Sequence, residues 1–262
     1  MKDIVPKEPF FSIVTVTKNA EHTIERCVES VYTQKFHDLE HIIIDGLSED
    51  RTIDRIRCYL DSAGCRISHV ISEKDAGIYQ AMNKGLLLAK GKWVYYLNAD
   101  DYLFDSNVLA NIYSILVTET CDVLYGRLLC YDHTNGNASL HAPRKINIYR
   151  LMSGGLYQQA WTFRRDFTSK IGGFDEGLRI CGDIDFLMRL VRADARVSVS
   201  AIILSVFRRG GASSDFSAVK SEHKLVERRY CSSLTRFGFK LWRNTIRFGV
   251  SIMRSLGQNV TD

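Results

Sequence analysis

No uninterrupted apolar run in the 262-residue chain approaches the roughly 20 residues that a membrane-spanning helix needs. The opening "MKDIVPKEPF" has no long apolar stretch behind its first Lys, so it is not read as a signal peptide. The seven Cys (Cys27, Cys58, Cys65, Cys121, Cys130, Cys181 and Cys231) stand singly, odd in number and without a C-x-x-C pair. That pattern argues against a disulfide framework or a zinc site and for a reducing, cytoplasmic compartment. No internal repeat, low-complexity segment or nucleic-acid motif is present. The excess of Lys and Arg, net +5 with pI about 8.8, suits phosphate or an anionic membrane surface, and nucleic acid is not expected as a partner.

What is present is a rhythm. "FSIVTV" reads as a strand and "EHTIERCVESVYTQ" as a helix with Ile24, Val28 and Val31 on one face. "EHIIID", the turn "GLSEDR" and the helix "TIDRIRCYL" repeat the unit, and "ISHVIS", "IYQAMNKGLLLAK" and "GKWVYYL" continue it as strand, helix and strand. Alternation of this kind predicts an α/β fold with a mostly parallel, Rossmann-like sheet covered by helices on both faces. Further on, "VLANIYSILV" reads as a helix, and "DVLYGRLLCYD" as a strand that turns at "TNGN" to return along "ASLHAP". Ile146 to Gly177 reads as pocket-shaping loops, "DFLMRLVRA" as a helix and "VSVSAIILSVF" as a last strand.

The expected organisation is a domain over 1–215 and a basic helical tail over 216–262. In that tail Phe239, Trp242, Ile246, Val250, Met253 and Leu256 fall on one apolar arc. Arg236, Lys240, Arg243, Arg247 and Arg254 form an adjoining stripe, the pattern of a helix lying in a membrane interface. A helix packed back on the domain with a solvated basic edge fits the same pattern.

Ligands of open α/β sheets bind at the carboxyl ends of the strands. Three polar clusters fall there: "TKN" (Thr17, Lys18, Asn19), "DGLSED" from Asp45, and "NADD" ending in Asp100 and Asp101. Two adjacent carboxylates after the apolar run "WVYYL" need their charge offset, and a divalent cation bridging them to a diphosphate would do so. Hard oxygen ligands favour Mg²⁺ or Mn²⁺. A second acidic pair, Asp183 and Asp185, opens a helix, where a carboxylate either caps it or is held as a general base. "FRRGGASS" offers Arg208 and Arg209 to phosphate.

Taken in order, "SIVTVTKNAE", "IIIDGLSEDRT", "SEKDAGIYQAMNKGLLLAKGKWVYYLNADD", "QQAWTFRRDFTSKIGGFDEGLRICGDIDFLMRL" and "FRRGGAS" resemble glycosyltransferase family 2, inverting enzymes of GT-A fold, in its bacterial cell-surface polysaccharide branch. The resemblance implies transfer of a sugar from a nucleotide-diphosphate sugar to a hydroxyl of a saccharide acceptor, lipid-linked at the cytoplasmic face of the inner membrane. It implies donor contacts from Val16, Thr17, Lys18, Asn19, Asp45, Asp75, Asn83, Lys84, Asp100, Arg208 and Arg209. It implies Mn²⁺ or Mg²⁺ on Asp101, Asp183 as catalytic base, and Gln158, Gln159, Trp161 and Asp185 toward the acceptor. The chain departs from the family at Gly46, where a second acidic residue is common, and at Gly182, where many members carry Glu. The alternative is a non-catalytic nucleotide-sugar-binding or scaffold domain of the same fold.

Overall fold

The computed structural model describes residues 8–60, 66–143, 146, 151, 157–209, 216–233, 235 and 238. Its framework is one nine-stranded sheet, built from β1 (Phe11–Thr17), β2 (Leu39–Asp45), β3 (Ile67–Ser72), β4 (Trp93–Tyr96), β5 (Tyr102–Leu103), β6 (Val123–Tyr131), β7 (Ala138–His141), β8 (Trp161–Arg164) and β9 (Val197–Arg208). The spatial order is β3-β2-β1-β4-β8-β6-β9-β5, with β7 paired to β6. The run β3-β2-β1-β4 is parallel throughout. β8 is antiparallel to both of its neighbours, and β6 runs parallel to β9.

β1 and β2 are buried along their whole length, which explains why they read as continuous apolar runs. Successive side chains still go to opposite faces. Phe11, Ile13, Trp93 and Tyr95 pack with Cys27 and Val31 of α1 (Ile24–Tyr32) and with Leu109 and Ile112 of α4 (Val108–Leu116). α2 (Thr52–Leu60) joins that face through Ile56, packed with Ile43, Ile24 and Val28. On the other face Val14, Val16, Ile42, Ile44, Val94 and Tyr96 meet Met82 and Leu86 of α3 (Ile78–Leu88). The short α5 (Arg165–Lys170) follows β8, and α6 (Gly182–Arg192) adds Phe186 and Leu187 to the same core.

The sequence expectation fails in one place. Between Ile146 and Gly177, read as loops, the structure has a 3-10 turn (Gln158–Ala160), β8 and α5. β8 is four residues long and flanked by β4 and β6, so Trp161, Thr162 and Phe163 are all buried and no alternation marks the strand.

The first helix of the expected tail, α7 (Phe216–Tyr230), packs on the domain: Val226 is buried in the core with Phe186 and Leu187. The amphipathic stretch from Phe239 onward lies outside the described residues. No helix among the described residues is long and apolar enough to cross a membrane.

β4 begins beside β1 with little clearance. A Cβ on Gly91 would stand 2.6 Å from the carbonyl carbon of Phe11 and from Ser12 Oγ, and the Gly91 N–H donates to Ser12 Oγ at 2.8 Å. Gly91→Ala is therefore expected to destabilise the fold by about 3 kcal/mol, lowering the melting temperature by roughly 5–10 °C. A calorimetric scan checks this, and an unchanged melting temperature would refute the crowding argument.

Candidate active site

β1, β2 and β4 end side by side, with Thr17 opposite Asp45, and their ends open into a cavity of about 1000 Å³. One wall comes from Val16, Thr17, Lys18 and Asn19 after β1, Gly46 after β2, Asp75 to Tyr79 ahead of α3, and Asn98, Ala99 and Asp100 after β4. The rest of the lining includes Gln158 and Gln159, Arg179 to Cys181 and Asp183 at the entrance to α6, and Val219 and His223 of α7.

The loops at the strand ends are tied to one another. Asn19, in the left-handed region at φ 51°, takes the Glu49 N–H on its side-chain oxygen at 2.9 Å and gives its own N–H to Ser48 Oγ at 2.8 Å. Asp50 accepts from the Glu21 N–H and from Thr52, and these bonds hold its carboxyl below the usual range despite some burial. Asp45 is fully buried and saturated. Ser48 donates to it through N–H (2.9 Å) and hydroxyl, and Ser72 Oγ donates at 2.6 Å. Expected at the donor, Asp45 instead pins the second loop to β3, and Gly46 is the residue that faces the cavity.

After β4 the chain keeps pairing along β1, through Leu97 N–H to Val14 O (2.9 Å) and Ala99 N–H to Val16 O (3.3 Å), before turning through Asp101 N–H to Asn98 O (3.0 Å). That turn sends the adjacent carboxylates in different directions. Asp100 is half-buried in the cavity wall, and burial pushes its carboxyl up, relieved in part by the Arg208 guanidinium. Asp101 is 1 % exposed and points into the protein. Its Oδ1 accepts the Arg208 N–H (3.0 Å) and its Oδ2 accepts Gln159 Nε2–H (2.8 Å). Burial and the charge of Asp100 together push Asp101 well above the carboxylate range. The sequence expectation of a cation on Asp101 therefore meets a carboxylate that does not line the cavity, while Asp100 does.

Several other expected site residues serve the scaffold. Trp161 is 1 % exposed and stacks on Tyr125, ring centroids 4.1 Å apart, so it is core and not a sugar platform. The aromatic surfaces lining the cavity are Tyr79, Tyr157 and Phe207. Asn83 is spent on Phe174 N–H (2.8 Å), Phe174 O (2.9 Å) and Glu176 (2.8 Å). Lys84 pairs with Asp75 and with Glu73 at 2.6 Å. Asp185, 1 % exposed, takes Arg189 Nε (2.9 Å), Tyr230 Oη (2.8 Å) and Arg229 (3.2 Å), which anchors α7 to α6. Arg209 reaches away to Ser139 Oγ at 3.1 Å.

Asp183 lies in the first turn of α6, behind Cys181 at the cap position, and its carboxylate lines the cavity. Oδ1 accepts the Ile184 N–H at 2.8 Å, which favours the charged form, but burial outweighs this and pushes the carboxyl up to about 6. The Tyr79 ring packs beneath it, donating to Ile180 O at 2.6 Å, and a Cβ on Gly182 would meet that ring at 2.6–2.7 Å. The space that a larger residue would need at position 182 is thus filled by Tyr79. Sequence reasoning missed the brace behind this turn. Glu222 of α7 accepts the N–H groups of Arg179 (2.9 Å), Ile180 (2.8 Å) and Cys181 (3.0 Å). No sequence signal distinguishes Glu222 from any solvated acid on a basic helix.

The arrangement is a cavity lined by the half-buried carboxylate of Asp100 at the strand ends and by Asp183 in the first turn of α6. In fold it is similar to the TarS 1–349 structure of S. aureus with UDP-GlcNAc (TM-score 0.66, 20% identity, 79% of this chain and 61% of that one). It is also similar to the mannosyltransferase PcManGT of Pyrobaculum calidifontis with GDP-Man and Mn²⁺ (TM-score 0.61, 18% identity, 84% and 63%). In sequence it is 28% identical over 240 residues to a PGL/p-HBAD biosynthesis glycosyltransferase of Mycobacterium tuberculosis, covering 89% of this chain and 88% of the relative. A β-1,3-glucosyltransferase of Escherichia coli, WfgD, named for UDP-Glc and α-D-GlcNAc-diphosphoundecaprenol, is 30% identical over 144 residues, 54% of each chain. The match of residues 12–176 to the glycosyl transferase family 2 model spans the ends of β1, β2 and β4 that open into this cavity, and with the GT-A fold around it the chain belongs to that family.

Proposed function

We propose that this glycosyltransferase moves a sugar, with inversion, from a nucleoside-diphosphate sugar to a hydroxyl of a lipid-linked saccharide in building a cell-surface glycan. The observation that carries the reading is that one cavity is lined both by Asp100 at the strand ends and by Asp183, pushed up to about 6 by burial. The lipid-linked acceptor is supported by the name of the E. coli relative, and the surface-glycan role by the two curated relatives together.

The donor end suits a cation of the Mg²⁺ or Mn²⁺ class. A half-buried carboxylate raised by burial gains most from a positive partner, and Asn98 adds an amide oxygen to the same wall. Such ions take one or two carboxylates and complete their shell from substrate phosphate and water. Among the described residues no group of three or more His, Cys, Asp or Glu is placed to hold a metal. Asp100 would hold the cation, which when bound would neutralise charge on the departing diphosphate. Asp101 then acts by fixing Asp100's loop to β9 through Arg208 N–H and to Gln159.

Asp183 takes the proton of the acceptor hydroxyl as its oxygen attacks the anomeric carbon. The bond to the diphosphate oxygen breaks, and the configuration inverts. A base near 6 is ionised at neutral pH yet remains basic enough to accept that proton. Tyr157 and Phe207, both only partly buried, offer aromatic surface to sugar rings. The polar face of the amphipathic segment around Arg243 and Arg247 would hold the enzyme at anionic lipid beside its acceptor.

The test is to incubate the protein with UDP-, GDP- and TDP-sugars, Mn²⁺ and a short-chain lipid-diphosphate N-acetylglucosamine, following nucleoside diphosphate release and the anomer formed. Acceptor-stimulated release with inverted product is expected. Release without inversion, or none with any donor, would overturn the proposal.

A further inference from the structure

Asp183 stands on a turn that its own helix does not hold. α6 has no side-chain cap, since Cys181 at the cap position makes no such bond, and Oδ1 of Asp183 takes only the adjacent Ile184 N–H. The three residues before the helix are gripped from outside instead. Glu222 of α7 takes the Arg179 N–H on Oε1 at 2.9 Å, and the Ile180 and Cys181 N–H groups on Oε2 at 2.8 and 3.0 Å. From α3, Tyr79 Oη donates to Ile180 O at 2.6 Å and receives the Asp183 N–H at 3.4 Å.

One carboxylate on three consecutive amides restrains direction as well as position, because no peptide plane leading to Asp183 can rotate without breaking a bond to it. α7 does not need Glu222 to stay docked. Val226 lies in the core with Phe186 and Leu187, Asp185 holds Tyr230 Oη and Arg229, and Arg192 donates to Tyr230 O at 2.8 Å. These anchors lie about one and two turns further along the helix, so what Glu222 adds is local to the turn. Val219 and His223 on either side of it line the cavity, whereas Glu222 does not. Both Asp183 and Glu222 fall outside residues 12–176, the stretch matched by the family model.

Resting on the reading that Asp183 is the base, we infer that Glu222 is a positioning residue for sugar transfer, acting through Asp183 by fixing the backbone of Arg179, Ile180 and Cys181. A general base works only within hydrogen-bond reach of the hydroxyl it deprotonates, and a misplacement of about 1 Å costs on the order of a hundredfold in rate. Without Glu222 three amides lose their acceptor. Tyr79 and the weak contact of the Cys181 thiol with Val219 O, 3.6 Å, are then left to hold the turn, and the base spreads over a range of positions.

The experiment has two arms on the full chain. In the first, hydrogen exchange is compared between wild type and Glu222→Ala without substrate, and the amides of Arg179, Ile180 and Cys181 should exchange at least about tenfold faster in the variant while those of β1 and β2 do not change. In the second, transfer to short-chain lipid-diphosphate N-acetylglucosamine with Mn²⁺ is followed from UDP-glucose, GDP-mannose and TDP-glucose, and the donor that turns over is used with Glu222→Ala, Glu222→Gln, Asp183→Asn and the double variant Asp183→Asn/Glu222→Ala. Glu222→Ala should lower kcat by about thirty- to a hundredfold with KM within about threefold of wild type. Glu222→Gln keeps one oxygen for the Ile180 and Cys181 N–H groups and should lose about tenfold or less. In the Asp183→Asn background Glu222→Ala should cost no more than about twofold, because nothing remains to be positioned once the base is gone. A merely structural role would lower both backgrounds alike. Unchanged exchange at the three amides, an unchanged kcat in Glu222→Ala, or equal losses in the two backgrounds overturns the inference. If Glu222→Ala does not fold, Glu222→Gln taken through the same cycle decides between the outcomes. An Asp183→Asn enzyme as fast as wild type, or no transfer by wild type from any of the three donors, removes the base reading and this inference with it, whereas a slow Asp183→Asn beside a fast Glu222→Ala removes this inference alone.

Discussion

Asp183→Asn is expected to slow sugar transfer by about a thousandfold while leaving nucleoside-diphosphate affinity within roughly twofold of wild type. Asn keeps the size and the hydrogen bond from the Ile184 N–H but cannot accept a proton. The strand-end residues of the donor end belong to other elements, so a loss of affinity would mean that Asp183 supports the fold and not the chemistry. Two pH signatures accompany the change. The wild-type kcat/KM should rise with pH through a window centred near 6, where the base ionises, and flatten above it. Stability should move the opposite way. Below the ordinary value of 3.8 the carboxyl is protonated whether the chain is folded or not, and it contributes nothing. Between 3.8 and about 6 the folded state holds its proton longer than the unfolded chain, so stability falls as pH rises, and above 6 the cost is fully present. The Asn variant does not ionise, so it should melt higher than wild type above pH 6 and converge with it toward pH 4. Equal melting temperatures across that range would mean that the carboxylate is not held in a desolvated setting.

Much of this site was legible because strand ends are. β-branched runs ending in "TKN", "DG" and "NADD" give a parallel sheet with its polar clusters on one edge, and β1, β2 and β4 deliver them there. Direction was not legible. Asp45 and Gly46 are neighbours, as are Asp100 and Asp101, yet one of each pair faces the cavity and the other fastens the loop behind it, a choice made by the turn from Asp101 N–H to Asn98 O and by Ser48 and Ser72. Trp161 is placed toward the acceptor by the family resemblance alone. It belongs to a strand of four residues, too short for a period to show, and burial between β4 and β6 decides its role. Asp185 and Glu222 depend on contacts between α6 and α7 about 40 residues apart, and no local pattern encodes them.

The contrast between Asp100 and Asp101 has the second largest expected consequence. Asp100→Asn should abolish the Mn²⁺-dependent part of nucleoside-diphosphate binding, a loss on the order of a hundredfold, at no cost to stability. Its carboxylate lines the cavity, and burial already disfavours its charge, so the folded protein loses nothing when that charge goes. Asp101→Asn should keep Mn²⁺ dependence, since an amide oxygen still takes the Arg208 N–H and the Gln159 amide can reverse to meet the new donor. Asp101→Ala removes both acceptors and leaves the buried Gln159 amide and the partly buried Arg208 N–H without this partner, so it should cost about 2–3 kcal/mol of stability. The pair also sets a direction with pH. Burial, and for Asp101 the charge of its neighbour, raise both carboxyls, so protons compete with the cation and Mn²⁺ affinity should climb as pH rises out of the acid range. Titrating UDP against each variant with and without Mn²⁺, at pH 5 and pH 7.5, separates the roles. Mn²⁺ dependence lost in Asp101→Asn and kept in Asp100→Asn would return the cation to Asp101 and require the 98–101 turn to open when the donor binds.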